Sequence, residues 1–137
     1  MSDSEAPSFA GIESAAKHLS GVVVRTPLIE NPALNMQTGG RILLKPEILQ
    51  RTGSFKFRGA YNFLSQIAPE VRARGVVAFS SGNHAQGVAA AAQIFDVSAT
   101  IVMPADAPQT KIDNTRGYGA KVVLYDRQTE AREEIAA

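Results

Sequence analysis

Four short β-rich runs, Arg41-Ile42-Leu43-Leu44-Lys45, Val76-Val77-Ala78-Phe79, Thr100-Ile101-Val102-Met103 and Lys121-Val122-Val123-Leu124-Tyr125, are separated by stretches of helical periodicity. No other feature restricts the fold of this chain as strongly. Strands that alternate with helices at this spacing are joined by crossovers, which are right-handed and leave the strands parallel. The reading is an α/β fold in three layers (αβα), a parallel sheet flanked by helices. Helices are expected over about 54–67, from about His84 to Phe95 and over about 108–116, and a last one is expected to start near Thr129. Pro104 stops the third strand, and Gly117 and Gly119 follow the third helix. Gly87 with Ala89–Ala92 gives the second helix a small-residue face for lying close to the sheet.

Upstream the pattern is looser. Residues 1–8 read as a disordered lead. Ile12, Ala15, Ala16 and Leu19 follow the i, i+3, i+4, i+7 rule, so a helix is expected from Phe9 to Leu19, with Gly21 as its stop. Val22–Val24 is β-rich and is bounded by Pro27. Asn31–Leu34 suggests a turn or short helix, and Arg41–Lys45 a strand stopped by Pro46. The C-terminal run Glu130–Ala137 reads as a helix in progress, so the chain is expected to be the N-terminal piece of a longer protein.

Composition removes several function classes. A net charge of +1 gives no field to steer nucleic acid or an acidic membrane surface. With no cysteine there is no disulfide, iron–sulfur cluster or thiolate zinc site, and His18 and His84 are too few for a histidine metal site. No apolar run reaches the ~20 residues of a membrane span. The first eight residues, with Asp3 and Glu5, lack the features of a signal peptide, which leads to an expectation of a cytoplasmic protein.

The chemistry concentrates in Thr52-Gly53-Ser54-Phe55-Lys56-Phe57-Arg58-Gly59-Ala60. Ser54 suits a helix N-cap, which puts Lys56 in the first helical turn. The partial positive charge of a helix N-terminus disfavours an ammonium there. Phe55 and Phe57 on either side are expected to desolvate it, which disfavours the charged form again. A neutral amine attacks carbonyls and forms Schiff bases. The plain alternative is a surface lysine whose stem covers apolar area.

A second constellation, Ser80-Ser81-Gly82-Asn83-His84-Ala85-Gln86-Gly87, lies between a strand and its following helix. Ligands gather at the carboxyl ends of parallel strands, and the N–H groups of the next helix bind anions. The loop therefore suits a carboxylate or phosphate, or is simply a polar loop with an N-cap. Gly82 and Gly87 have P-loop spacing, but Val88 stands where that motif needs lysine. No G-x-G-x-x-G occurs. His84, at the loop–helix junction, suits a ligand contact, a cap or a core role equally.

The ordered series Arg25-Thr26-Pro27-Leu28, Leu44-Lys45-Pro46-Glu47, Gln50–Ala60, Ser80–Gly87, Met103-Pro104 and Ala107-Pro108 resembles the N-terminal part of the threonine/serine dehydratases. These are pyridoxal-phosphate enzymes of the tryptophan-synthase-β fold type (fold type II), and the resemblance covers about residues 22–126. It implies that Lys56 is the Schiff-base lysine that holds pyridoxal 5'-phosphate and moves the substrate α-proton. It implies that Phe55 packs beside the cofactor ring and that Asn83 hydrogen-bonds its phenolic oxygen. Ser80, Ser81, Gly82, Asn83 and His84 match the loop for the substrate carboxylate. Ser81 also matches the acid/base of racemising relatives. The implied reaction is β-elimination from L-threonine or L-serine to a 2-oxo acid and ammonia, in amino-acid metabolism that includes isoleucine biosynthesis. The implied partner is a small amino-acid substrate, in a homo-oligomeric parent with no nucleic acid and no membrane. Residues 1–41 would belong to the large domain and 42–137 to the small one.

Three parts of the family pattern do not occur: the glycine-rich phosphate loop, the partner of the pyridine nitrogen, and most of the large domain. Pro46 also departs from the residue expected at its place. The chain alone is thus expected to hold half an active site and to be inactive. A serine racemase of the same fold and a non-catalytic anion-binding or interaction module are the competing readings.

Overall fold

The computed structural model describes residues 7–137. The disordered lead expected over residues 1–8 lies outside the described residues as far as residue 6. Ser8 itself is the N-cap of helix α1 (Phe9–Leu19), its Oγ accepting from the Gly11 N–H at 3.1 Å. The helix has the predicted bounds and buries only Leu19. Beyond it Gly21 takes a φ of 74°, a left-handed turn that glycine makes without a Cβ clash.

Val22–Val24 does not form the strand that its composition suggests. Among the described residues no strand pairs with it. The Gln50 side-chain amide takes the place of a partner strand instead, accepting from Val24 N–H at 2.9 Å and donating to Val24 O at 2.8 Å. β-propensity describes a fit to a pleated sheet, and here Val22 and Val23 pack against the core with no sheet beside them. The strand expected over 41–45 shrinks to β2 (Leu43–Leu44), paired antiparallel with the equally short β1 (Ile29–Glu30). Between them lies α2 (Pro32–Thr38), where Asn31 Oδ1 caps the Ala33 and Leu34 N–H groups.

Two single 3₁₀ turns, Glu47–Leu49 and Arg51–Gly53, lead to α3 (Lys56–Gln66). A short α4 (Pro69–Arg72), too brief to show a period in the sequence, precedes β3 (Val76–Phe79). The expected rhythm follows: α5 (Asn83–Ile94), β4 (Ala99–Pro104), α6 (Gln109–Gly117) and β5 (Lys121–Tyr125). The last helix, α7 (Arg132–Ala136), begins at Arg132 rather than near Thr129, because Asp126–Glu130 first closes a turn in which Glu130 Oε2 accepts from the Asp126 N–H.

The three long strands form one parallel sheet in the order β3-β4-β5, with Val76 opposite Ala99 and Ile101 opposite Val122. Alternation along the strands assigns the faces. Val76, Ala78, Ile101 and Met103 face a core shared with Phe57 and Leu64 of α3, Ala85 and Ala89 of α5, and Ile112 of α6. Phe79 points to the other face, where the Arg132 guanidinium of α7 lies 4.6 Å from its ring centre. The α/β, three-layer reading of the sequence holds.

A polar network ties the N-terminal segment to the turn before α3. Arg58 donates from Nε to Glu47 Oε2 at 2.7 Å and from Nη2 to Oε1 at 2.8 Å. Thr26 Oγ1 donates to the same carboxylate at 2.6 Å, and Lys45 Nζ donates to Thr26 O at 2.9 Å. The bidentate Arg58 contact above all, helped by Thr26 and against the cost of burial, holds the Glu47 carboxyl down at about 2. A carboxylate with a depressed folded pKa stabilises the fold above its ordinary value of 4.5, and that stability is lost as pH falls toward about 2. Glu47→Gln is expected to lower the unfolding free energy at pH 7 by about 2 kcal/mol and to flatten the acid limb. Urea melts of both proteins across pH 7 to 2 measure this, and parallel curves at all pH values would contradict it.

Candidate active site

Lys56 is the first residue of α3, as its place in the sequence requires, but the cap differs from expectation. Phe55 is the N-cap, and no side chain caps the helix. Thr52 and Gly53 both take positive φ, 64° and 68°, so the chain reverses sharply one step earlier. That reversal turns Ser54 inward, where its Oγ is buried without a partner, as is Thr52 Oγ1. The first-turn N–H groups of α3 are left without a side-chain acceptor.

The two rings beside Lys56 also separate. Phe57 is fully buried in the core, whereas Phe55 is 58% exposed. Only Phe55 borders the amine, with its ring centre 4.8 Å from Nζ. The expected pair of flanking rings becomes one, and Lys56 is exposed in this chain. Phe55 and Phe57, two positions apart, cannot both face the core from the start of a helix, since two steps of about 100° each put their side chains on opposite sides.

The second constellation closes the sheet end. Ser80 N–H extends the ladder to Val102 O at 3.0 Å, and Gly82 N–H donates to Ser80 Oγ at 3.3 Å. Gly82 is the N-cap of α5 and offers no side-chain cap. The reading of this loop as a self-capped helix start therefore fails: Ser80 bonds within the loop, and the first-turn N–H groups of α5 stay available to an anion. Ser81, Asn83 and His84 are exposed, and Ser80 and Gly82 half-buried.

Gly87 brings the two helix starts together. It does not face the sheet, as the small-residue run suggested. A Cβ built at Gly87 would lie 3.1 Å from both the Lys56 carbonyl carbon and the Phe57 nitrogen. α5 thus rests directly on the Lys56–Phe57 peptide. Further along, Tyr61 of α3 stacks on Phe95 at the end of α5, with ring centres 4.8 Å apart. His84 is near enough to Lys56 to be affected by it: burial first, then the Lys56 charge, lowers its pKa from the usual 6.5. Its ring also lines an apolar groove of about 370 Å³ with Phe63, Ala78 and Val88.

Two residues were missed in the sequence. One is Gly87 in this role. The other is Lys111 of α6, whose Nζ donates to Asn83 Oδ1 at 2.7 Å. A signal existed for it: Lys111 sits in the first turn of a helix, the same electrostatic anomaly that drew attention to Lys56. Among the described residues no group of three His, Cys, Asp or Glu side chains could hold a metal ion, and no helix is long and apolar enough to cross a membrane.

The donors gathered here are the Lys56 amine, the Asn83 amide and the uncapped N–H groups of α5, and none of the ion pairs among the described residues involves them. Such a set fits a planar anionic aldehyde: an amine to condense with the carbonyl, an amide donor for a ring oxygen, and a helix start for a carboxylate. Residues 19–137 match the family model described as "Pyridoxal-phosphate dependent enzyme". The chain belongs to this pyridoxal-phosphate dependent enzyme family. It is 55% identical over 128 residues to an L-threo-3-hydroxyaspartate ammonia-lyase of Pseudomonas sp, a match covering 93% of this chain and 40% of that protein. It is 58% identical over 124 residues to an L-threonine ammonia-lyase of Thermotoga maritima, covering 88% of this chain and 31% of the relative. The solved structure of maize serine racemase superposes with a TM-score of 0.89 at 35% identity, over 96% of this chain and 40% of that one. The chain thus spans about two fifths or less of the length of these proteins. The expectations of family, fold and cofactor all hold.

The Gly87 contact makes a direct prediction. Gly87→Val is expected to cost about 1–3 kcal/mol of stability by forcing α5 off the Lys56–Phe57 peptide. Gly59→Ala in α3, where a Cβ meets nothing within 4 Å, is expected to gain about 0.5–1 kcal/mol. Thermal melts of the two variants should move in opposite directions.

Proposed function

We propose that this chain supplies the small-domain side of a pyridoxal-phosphate dependent ammonia-lyase that acts on L-threonine or L-serine. The observation that carries the reading is the close seating of α5 on the Lys56 peptide, which brings an amine and an anion-binding helix start to one end of the sheet. Relatives named as threonine and hydroxyaspartate ammonia-lyases support the class of reaction.

In this reading Lys56 would hold the cofactor, Phe55 would pack beside its ring and Asn83 would donate to the ring oxygen. Bound there, pyridoxal phosphate supplies an electron sink for the negative charge that develops at the substrate α-carbon. Ser80, Ser81, Gly82, Asn83 and His84 receive the substrate carboxylate on the uncapped start of α5. Burial and the adjacent Lys56 favour neutral His84, so its ring hydrogen-bonds the substrate without adding charge. Lys56 would also serve as the base that takes the substrate α-proton. Loss of the β-hydroxyl and hydrolysis then give 2-oxobutanoate from threonine, or pyruvate from serine, with ammonia. Segment 1–41 belongs with the large domain in this reading and 42–137 forms the small one, and the cofactor phosphate and ring nitrogen are held by residues outside this chain.

A second reading is favoured by the exposed Ser81 and the likeness to maize serine racemase. Ser81 would then exchange the α-proton on the face opposite Lys56. Chiral analysis of serine incubated with the complete enzyme separates the two outcomes.

The test is chemical trapping. The chain is incubated with pyridoxal phosphate, reduced with borohydride and mapped by peptide mass. Label at Lys56 that Lys56→Ala abolishes is expected, and label spread over surface lysines contradicts the reading. The same chain given pyridoxal phosphate and L-threonine is expected to release no sustained ammonia. Sustained release dependent on Lys56 would show that the missing partners are not required.

A further inference from the structure

Asn83 offers a choice that the sequence leaves open. A side-chain amide carries one acceptor oxygen and one donor nitrogen, and either can face a ligand. The structure removes the choice. Lys111 Nζ lies 2.7 Å from the Asn83 side chain, and a lysine ammonium has donors only. The oxygen must therefore face Lys111, and the NH₂ is turned away from it, where it has no hydrogen-bond partner among the described residues. Lys111 is half-buried and joins none of the ion pairs among the described residues. Its partner is an amide oxygen contributed by another helix.

We propose that Lys111 is a positioning residue that locks Asn83 as a one-way donor and so favours an ionised oxygen on the ligand ring. The inference rests on the reading of Asn83 as the partner of the cofactor's phenolic oxygen. A neutral phenol can accept from the NH₂ only through a lone pair, with its hydrogen turned elsewhere, and it is the weaker acceptor. A phenolate accepts from it, and the Lys111 charge one amide away strengthens that preference. His84, the next residue of α5, feels the Lys56 charge, which together with burial lowers its pKa; among the described residues no ion pair brings a carboxylate to Asn83 or Lys111. The backbone at Lys111 is held separately, its carbonyl accepting from Thr115 Oγ1 at 2.7 Å, so the side chain can be changed without removing that bond.

The experiment uses the borohydride-trapped adduct, whose permanent link to Lys56 makes cofactor affinity irrelevant. The ring phenol is titrated by absorbance in the parent chain, Lys111→Met, Lys111→Gln and Lys111→Arg, each first checked for folding by circular dichroism. Lys111→Met and Lys111→Gln are expected to raise the phenol pKa by about 1 unit, and Lys111→Arg to keep it near the parent value. In an Asn83→Ala background Lys111→Met is expected to have a much smaller effect. In the unloaded chain the Asn83 side-chain NH₂ resonance is expected to move in Lys111→Met. An unchanged phenol titration in trapped, folded Lys111→Met and Lys111→Gln, or an equal shift with and without Asn83, overturns the role of Lys111 alone. Failure to label Lys56 defeats the cofactor reading itself, and the role of Lys111 falls with it.

Discussion

The close approach of α5 to the first peptide of α3 is the contact on which this site depends. A peptide plane can lie against a helix only where the helix carries no side chain, and Gly87 provides that point. Close-packed interiors leave little room for adjustment, so a single methyl group there displaces one helix from the other. The rest of α5 supports the same geometry: Ala85–Ala92 are all buried, with the sheet on one side and α3 on the other. Lys56 lies on the helix before the first parallel strand and the Ser80–His84 loop follows that strand, and this one interface brings them together.

The approach to Lys56 is fixed from the other direction by polar bonds. Glu47, Arg58, Thr26 and Lys45 form a connected set, and Gln50 clamps the backbone of Val24. The turn that follows holds Thr52 and Gly53 at positive φ and places the hydroxyls of Thr52 and Ser54 inside without partners. Strain and unsatisfied groups of this kind persist where surrounding structure over-determines them, and they cluster at functional sites. Here the rigid network upstream and the packed helix downstream confine the segment that carries the amine.

Charge distribution completes the picture. Lys56, Lys111 and the uncapped helix starts of α3 and α5 converge, and the carboxylate of the Glu47 cluster is occupied by Arg58 and Thr26. A ligand that enters meets donors and positive ends of helix dipoles, a setting suited to an anionic aldehyde or an amino-acid carboxylate. The aromatic pair in the sequence divides the labour. Phe57 anchors α3 in the core, and Phe55 remains at the surface beside the amine.

The sequence by itself determined the α/β class, the strands at 76–79, 100–103 and 121–125, the helix Phe9–Leu19 and the family, because each rests on local periodicity or on residues contiguous in the chain, whereas the strand expected over 41–45 left the parallel sheet for an antiparallel pair. Lys56 and the Ser80–Gly87 loop were legible for the same reason. Only the tertiary structure decided that Val22–Val24 has no partner strand, that Ser54 turns inward instead of capping α3, that a single ring borders Lys56, and that Gly87 faces a peptide and not the sheet. Each of those outcomes depends on what lies across a gap between distant segments. The Lys111–Asn83 bond spans 28 positions of sequence, and no pattern within either helix encodes the other's position. Side-chain direction at a helix start is set by what packs against it, and that is a property of the assembled fold.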